Sequence, residues 1–298
     1  MQDDILGLIS KVPELMGVTG TPVRLGGMTN RVYRLGDLII RVPGEGTSDY
    51  INRADEALAA KAAARAGVSP EVLHVDSASG LMVTRYVPNA VTMTPKAFNS
   101  RDGAPARAAL GLRQLHRSGE SFPARFELFA MIDDYLSHLS GKDVALPEGY
   151  HQVLSEAEAV RAALARNPVP LAPCHCDPLC ENFLDTGERM WIVDWEYSGM
   201  NDPMWDLGDL SVEAGFDAAQ DDALLAAYFD GNITPKDRAR MVLYKAMCDL
   251  LWTLWGLLQL ANNNPAEDFR AYADNRFARC RALMASDDFV DSLRILQA

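Results

Sequence analysis

Between residues 174 and 194 the chain gathers the side chains with which proteins bind metals and move protons: Cys174, His175, Cys176, Asp177, Cys180, Asn182 and Asp194. Three thiols, an imidazole and a carboxylate in one short segment invite a zinc reading. Cysteine-based zinc sites draw ligand pairs from two separated places. The other two cysteines, Cys248 and Cys280, lie far apart in stretches with a helical pattern. No second pair completes a tetrahedral site, and the sulfurs read instead as small apolar residues. A zinc module stays as the lesser alternative.

With the sulfurs set aside, the segment reads His175-x-Asp177-x-x-x-x-Asn182, a hairpin, then Asp194. This is the order and spacing of a kinase catalytic loop followed by its metal-binding Asp. Phosphoryl transfer explains the residue types. Asp177 orients the attacking hydroxyl and accepts its proton. Asn182 and Asp194 offer a neutral and a charged oxygen ligand, which suit Mg²⁺ where thiolates do not. His175 reads as a structural residue that holds the loop.

These groups need a scaffold. "TPVRLGGMTNRVYRLGDLIIRVPG" alternates apolar and polar residues around turns at Gly26-Gly27 and Gly36-Asp37, predicting three antiparallel strands. An alanine-rich helix closed by Gly67 follows, then two strands that turn near Ser79-Gly80. Past Pro88 the pattern is helical over 104–119, 124–140 and 150–166, then a strand pair, "NFLD" and "RMWIVDW", then helix nearly to the end. The expectation is an α+β fold of two lobes. Residues 1–88 form a small antiparallel β lobe with one inserted helix, a hinge lies near 85–90, and 89–298 form a larger, mainly helical lobe.

A cradle for phosphates belongs in the first lobe. Backbone N–H groups at Gly27, with the side chains of Thr29 and Asn30, can approach phosphate oxygens at the Gly-Gly turn. Arg41 stands where a kinase places its phosphate-binding lysine, and Glu56 on the following helix is its expected partner, with Arg53 one turn earlier. A plain hairpin turn, a strand arginine on the surface and a solvated helical glutamate are the alternative readings.

Taken together, "GGMTNRVYRLGDLIIRVPGEGTSDYINRADE", "HCDPLCENFL" and "IVDWEYSGMNDPMWDLGDL" closely resemble the bacterial choline/ethanolamine kinases, a branch of the aminoglycoside-phosphotransferase-like group of protein-kinase-like folds. The resemblance runs from about residue 20 to 260. It implies ATP, Mg²⁺ and transfer of the γ-phosphate to a small alcohol. It implies Asp177 as base, Asn182 and Asp194 as metal ligands, and Arg41 with Glu56 as the phosphate-side ion pair. Backbone groups near Arg85 to Val87, in "TRYVPNA", would meet adenine. The acceptor would lie among Tyr197, Trp252 and Trp255, with Glu196 as a nearby acid. A quaternary ammonium lacks N–H donors and is held by aromatic faces. Two tryptophans at i, i+3 in a leucine-rich helix also read as core. Asp206 has two readings: it caps the following helix, or it braces the catalytic loop.

The net charge of −13 disfavours nucleic acid and anionic membranes and is compatible with a cationic substrate. No apolar run of the sequence reaches the roughly 18–20 residues of a bilayer span, and the acidic N-terminus differs from a signal peptide, so a cytoplasmic protein is expected. Oligomeric state is left open. Within the enzyme class, an aminoglycoside or another small alcohol is the competing acceptor. Outside it, the competitor is a nucleotide-binding protein without catalysis, against which the full set Asp177, Asn182 and Asp194 speaks.

Overall fold

The computed structural model describes residues 5–12, 15–26, 30–44 and 51–298. Its first lobe is an antiparallel sheet of β1 (Val23–Gly26), β2 (Asn30–Leu35), β3 (Leu38–Pro43), β4 (Val72–Val75) and β5 (Met82–Arg85), in the order β1-β2-β3-β5-β4. The β2–β3 register closes at Leu35↔Leu38. Gly36 makes that turn at φ +62°, a conformation glycine adopts without steric cost. Leu35, Leu38, Ile40 and Val83 join Ile5 and Ile9 of a short helix α1 (Ile5–Ile9) in a small core.

Helix α2 (Arg53–Arg65) starts where the Asn52 side chain accepts bonds from the N–H groups of Ala54 and Asp55. Its buried alanines, Ala59, Ala60, Ala62 and Ala63, belong to the main core of the protein rather than to the small one. Their small side chains let the helix backbone lie close to its neighbours. The chain leaves the sheet at Arg85, crosses residues 86–90, and pairs β6 (Val91–Thr92) with β8 (Phe183–Asp185) through Val91↔Asp185.

The second lobe is helical: α3 (Pro95–Ser100), α4 (Ala104–His116), α5 (Leu128–Leu139), α6 (Tyr150–Arg166), α7 (Pro203–Ala214), α8 (Ala218–Phe229), α9 (Pro235–Ala261), α10 (Phe269–Met284) and α11 (Asp287–Gln297). Helix α9 is its axis, packed by α5, α6, α7, α10 and α11. It begins with a capping box, in which Thr234 and Asp237 bond each other's N–H groups, and runs for 27 residues. That length and composition would suffice to cross a bilayer, but 94% of its most apolar window is buried inside the protein, so it is a core helix.

Two strand pairs carry the segment 174–194. β7 (Ala172–Cys174) pairs with β10 (Gly199–Asn201), and β8 pairs with β9 (Met190–Ile192). The β8–β9 hairpin is pinned at Asp185, fully buried, which accepts from Arg101 at 2.7 Å and Arg107 at 2.7 and 2.8 Å. Burial raises this carboxyl, but the bonds from Arg107 and Arg101 outweigh that and hold it at about 2. The sequence pattern predicts the β8–β9 pair; α3, β6 and the β7–β10 pair add to it.

Candidate active site

The loop His175–Asn182 leaves β7 and is fixed from below by one carboxylate. Asp206, on the first turns of α7, accepts the backbone N–H groups of His175 at 2.7 Å and Cys176 at 2.8 Å. It also meets His116 Nε2 of α4 at 2.9 Å. Of the two readings of Asp206, bracing the loop is the one the structure shows, because the helix cap is Asp202, which accepts from the Met204 N–H. Trp205 adds a bond from its indole N–H to the Cys176 carbonyl at 3.0 Å, and Ser198 one from its hydroxyl to the His175 carbonyl at 3.2 Å. Under these constraints Cys176 takes a left-handed φ of +67°, uncommon for a residue with a side chain and typical of functional turns.

His175 is fully buried. Its Nε2 bonds the Val193 carbonyl at 2.9 Å, and its Nδ1 accepts the Asp177 N–H at 3.3 Å. One nitrogen donates and the other accepts, so the ring is neutral, in line with a pKa lowered mainly by burial. Its role is to tie Asp177 to the hairpin. Asn182 donates from Nδ2 to the Asp177 carbonyl at 3.0 Å, and its own backbone carbonyl accepts the Val193 N–H at 3.0 Å. That backbone bond folds the hairpin back on itself, so Asp194 emerges beside Asn182. Asp177, Asn182 and Asp194 are thus gathered at one edge of the cleft.

Asp194 also has a left-handed φ, +70°. Its side chain is 32% exposed and accepts from Arg41 at 3.0 Å. Burial first, then the Glu196 charge, push its carboxyl up to about 7. Asp177 is driven well above the ordinary carboxylate range by burial first, then by Asp194, Glu213 and Glu196. Carboxylates crowded and desolvated in this way form a site built to receive positive charge.

On the β-lobe side, Arg41 pairs with Glu56, as the spacing predicts. Arg53 joins the same glutamate at 2.8 Å. The sequence reading names Glu196 as an acid near the acceptor. Its Oε1 accepts from Arg53 at 2.6 Å and from the Asn30 amide at 3.0 Å, with Arg41 at 3.4 Å, and its charge is among those that act on Asp177. One carboxylate of the second lobe therefore gathers donors from β2, β3 and α2. Asn30 Oδ1 and Arg41 Nε are buried with no partner among the described residues. Gly27 and Thr29 lie outside the described residues. At the hinge, the Arg85 N–H is bonded to the Glu71 carbonyl, and its side chain lies on the surface with Asp37 and Glu71. Val87 follows, half-buried, in the crossing between lobes.

Trp252 and Trp255 are both buried, and each indole N–H has a partner. Trp252 donates to Asp209 at 3.1 Å, and Trp255 donates to the Tyr197 hydroxyl at 2.9 Å. The Tyr197 and Trp252 rings meet edge to face at 5.5 Å. The structure adds residues that sequence reasoning missed. Tyr272 of α10 packs 5.6 Å from Trp255, and Glu213 and Arg276 line a cavity of about 240 Å³ with Tyr272. Glu213 and Arg276 are ion-paired at 2.5 Å. The charge of Asp177 is among those that act on both Tyr272 and Asp209, so this aromatic group lies within electrostatic reach of the loop 175–182. Asp209 Oδ1 is buried without a partner among the described residues, and burial, then Glu213, hold its carboxyl well above the usual range.

A model of the phosphotransferase enzyme family matches residues 19–244. The chain belongs to that family. This phosphotransferase is 64% identical to a choline/ethanolamine kinase family protein of Mesorhizobium loti, with a TM-score of 0.91 over 98% of this chain and 97% of the other. The choline kinase LicA of Streptococcus pneumoniae is 26% identical, with a TM-score of 0.80 over 94% and 98%. The LicA protein of Haemophilus influenzae strain KW20 Rd is 30% identical over 80% of this chain and 90% of its own. The fold is protein-kinase-like, and the protein is a phosphotransferase acting on an alcohol group.

The donor set of this phosphotransferase fits Mg²⁺. Asn182 commits its amide N–H to the Asp177 carbonyl, which leaves the amide oxygen as the end able to ligate, and Asp194 offers a carboxylate open to the cleft. The cysteines are occupied otherwise. Cys174 donates to the Asn201 carbonyl at 3.5 Å, and Cys176 lies 3.6 Å from the Cys174 carbonyl. His116, Cys174 and Asp206 come close enough to share an ion, but His116 spends Nδ1 on the Tyr228 hydroxyl and Nε2 on Asp206. Burial pushes all three loop thiols up, away from the thiolate a soft metal requires.

Proposed function

We propose that the protein transfers the γ-phosphate of ATP to the hydroxyl of choline, with Mg²⁺, and accepts ethanolamine less well. The observation that carries the choline reading is the aromatic group of Tyr197, Trp252, Trp255 and Tyr272, with Asp209 bonded to Trp252 and Glu213 beside Tyr272, within electrostatic reach of Asp177. Trimethylammonium gains from aromatic faces what it cannot gain from hydrogen bonds, and the nearby carboxylates balance its charge. The names of two similar proteins, a choline kinase and a choline/ethanolamine kinase family protein, support the same class.

In this reading the ammonium sits among the rings and the hydroxyl points to Asp177. Asp177 takes the hydroxyl proton as the acceptor oxygen bonds to the γ-phosphorus and the bond to the ADP oxygen breaks. Burial first, then the neighbouring carboxylates, raise its pKa, which makes it a stronger base than an ordinary carboxylate. His175, Asn182 and the Asp206 brace keep that carboxylate in place. Asn182 and Asp194 would hold Mg²⁺, which when bound supplies the positive charge that balances the phosphate oxygens. Arg41, steadied by Glu56, faces Asp194 and supplies a cation for the nucleotide phosphates. Adenine would rest on the backbone near Arg85 to Val87, and Gly27, Thr29 and Asn30 would approach the phosphates.

An acceptor panel tests this. ATP turnover is measured with choline, ethanolamine and an aminoglycoside, and kcat/KM is compared. The reading expects choline first and ethanolamine second. An aminoglycoside ahead of both would reassign the acceptor while leaving the phosphotransferase in place.

A further inference from the structure

Gly256 sits in the interior of α9, where glycine is among the poorest helix formers. The reason lies on α10. A Cβ built at position 256 would come within 2.6 Å of Tyr272 Cδ1 and 3.1 Å of Cε1. The first distance is shorter than real carbon contacts allow, so any side chain at 256 must push the Tyr272 ring away. The ring has little freedom to go elsewhere. It is held edge to face by Trp255 at 5.6 Å and by Phe269 at 6.2 Å, and the Arg276 guanidinium lies 4.6 Å from its centre. Displacement therefore carries the ring out of the aromatic group or into the cavity that it lines with Glu213 and Arg276. Gly256 is also one position beyond Trp255 and four beyond Trp252, so the missing side chain lies on the same stretch of helix that supplies both indoles.

We infer that Gly256 is a positioning residue for acceptor selectivity: by having no side chain, it sets how closely the Tyr272 ring approaches α9, and so sets the fit of the aromatic group around a trimethylammonium head. The inference rests on the choline reading above. It concerns discrimination between a methylated and an unmethylated ammonium. Ring contacts matter most for the methylated one, because an unmethylated ammonium can bond carboxylates instead.

The test compares wild type, Gly256→Ala, Tyr272→Ala and the double variant. Choline and ethanolamine are titrated by calorimetry without nucleotide, kcat and KM are measured for both acceptors and for ATP, and thermal melts check folding. In Gly256→Ala, the dissociation constant and KM for choline should rise about tenfold, the scale of one weakened ring contact. KM for ATP should stay within about twofold, and ethanolamine should change less than choline. Adding Gly256→Ala to Tyr272→Ala should cause no further loss, because the displaced ring is already gone. A folded Gly256→Ala with wild-type choline affinity overturns the inference, as does full additivity in the double variant. If Gly256→Ala alone does not fold, recovery of the fold in the double variant supports the inference, and failure of both to fold overturns it in favour of helix packing alone. A wild-type protein that phosphorylates neither acceptor defeats the choline reading itself, an outcome distinct from all of these.

Discussion

Replacing Asp206 by Asn keeps the shape of the brace and removes its charge. In the wild type, two buried backbone N–H groups and one imidazole nitrogen share the carboxylate, at 2.7, 2.8 and 2.9 Å. An amide has one acceptor oxygen. Whichever way it turns, its NH₂ faces one of the two loop N–H groups, while His116 can adapt by changing tautomer. One buried N–H then lacks an acceptor, which costs about 1–3 kcal/mol, and the remaining bonds lose their charge-assisted share. The sum is roughly 3 kcal/mol, or roughly 6–12 °C in Tm for a chain of this size. The functional effect is separate. Asp177 stands next to the two braced residues, and a shift of about 1 Å at the reacting group costs on the order of 10²-fold in rate. Thermal melts and steady-state kinetics with choline should therefore show a folded but less stable Asp206→Asn with kcat down about a hundredfold and KM for ATP nearly unchanged. A variant within about 0.5 kcal/mol of wild type, with normal turnover, would refute the brace and leave the loop to the Trp205 and Ser198 bonds.

Asp177→Asn should lower kcat by ~10²–10⁴-fold with an unchanged melt, since the amide cannot take the proton; near-normal turnover would remove Asp177 as the base. Asp185→Asn should destabilise the fold by about 3 kcal/mol by leaving Arg101 and Arg107 without their buried counter-charge. The folded pKa of Asp185, about 2, lies below the ordinary 3.8, so its stabilisation is complete above that ordinary value and is lost as pH falls through about 2. Acid unfolding followed by circular dichroism should show the wild-type advantage over Asp185→Asn shrinking across that window. An advantage independent of pH would contradict it. Trp252→Leu and Trp255→Leu should each weaken choline more than ATP, by up to roughly thirtyfold for a desolvated ring contact; equal loss of both ligands with early melting would make the tryptophans core alone.

Much of the site is legible where function compresses residues into short order. His175, Asp177, Asn182 and Asp194 fall within one loop and one hairpin, and the structure folds them together through the Val193–Asn182 backbone bond. The Arg41–Glu56 pair is legible because strand and helix follow each other directly. The bonds of Glu196 to Arg53 and Asn30 are not legible, because they run from the second lobe to α2 and β2 across a long separation in sequence. Tyr272 and Glu213 are not legible at all, because they reach the aromatic group from α10 and α7 only after both helices have packed on the long helix α9. The strands β6, β7 and β10, two or three residues each, escape because they pair with distant segments, whereas the turn at Thr186-Gly187 marks the equally short β8–β9 pair as a hairpin. Helix α9 is longer than its apolar segment implies because its polar first turns, from Pro235, are held by the capping box rather than by hydrophobicity.

The central claim is tested most directly by phosphorus NMR of the purified protein incubated with ATP, Mg²⁺ and choline. The account predicts that the γ-phosphate signal is lost only when choline is present, that a phosphomonoester signal of phosphocholine grows in equal amount, and that Asp177→Asn shows neither change. Release of inorganic phosphate without a choline ester, or ATP left intact with choline while another alcohol is phosphorylated, would contradict it.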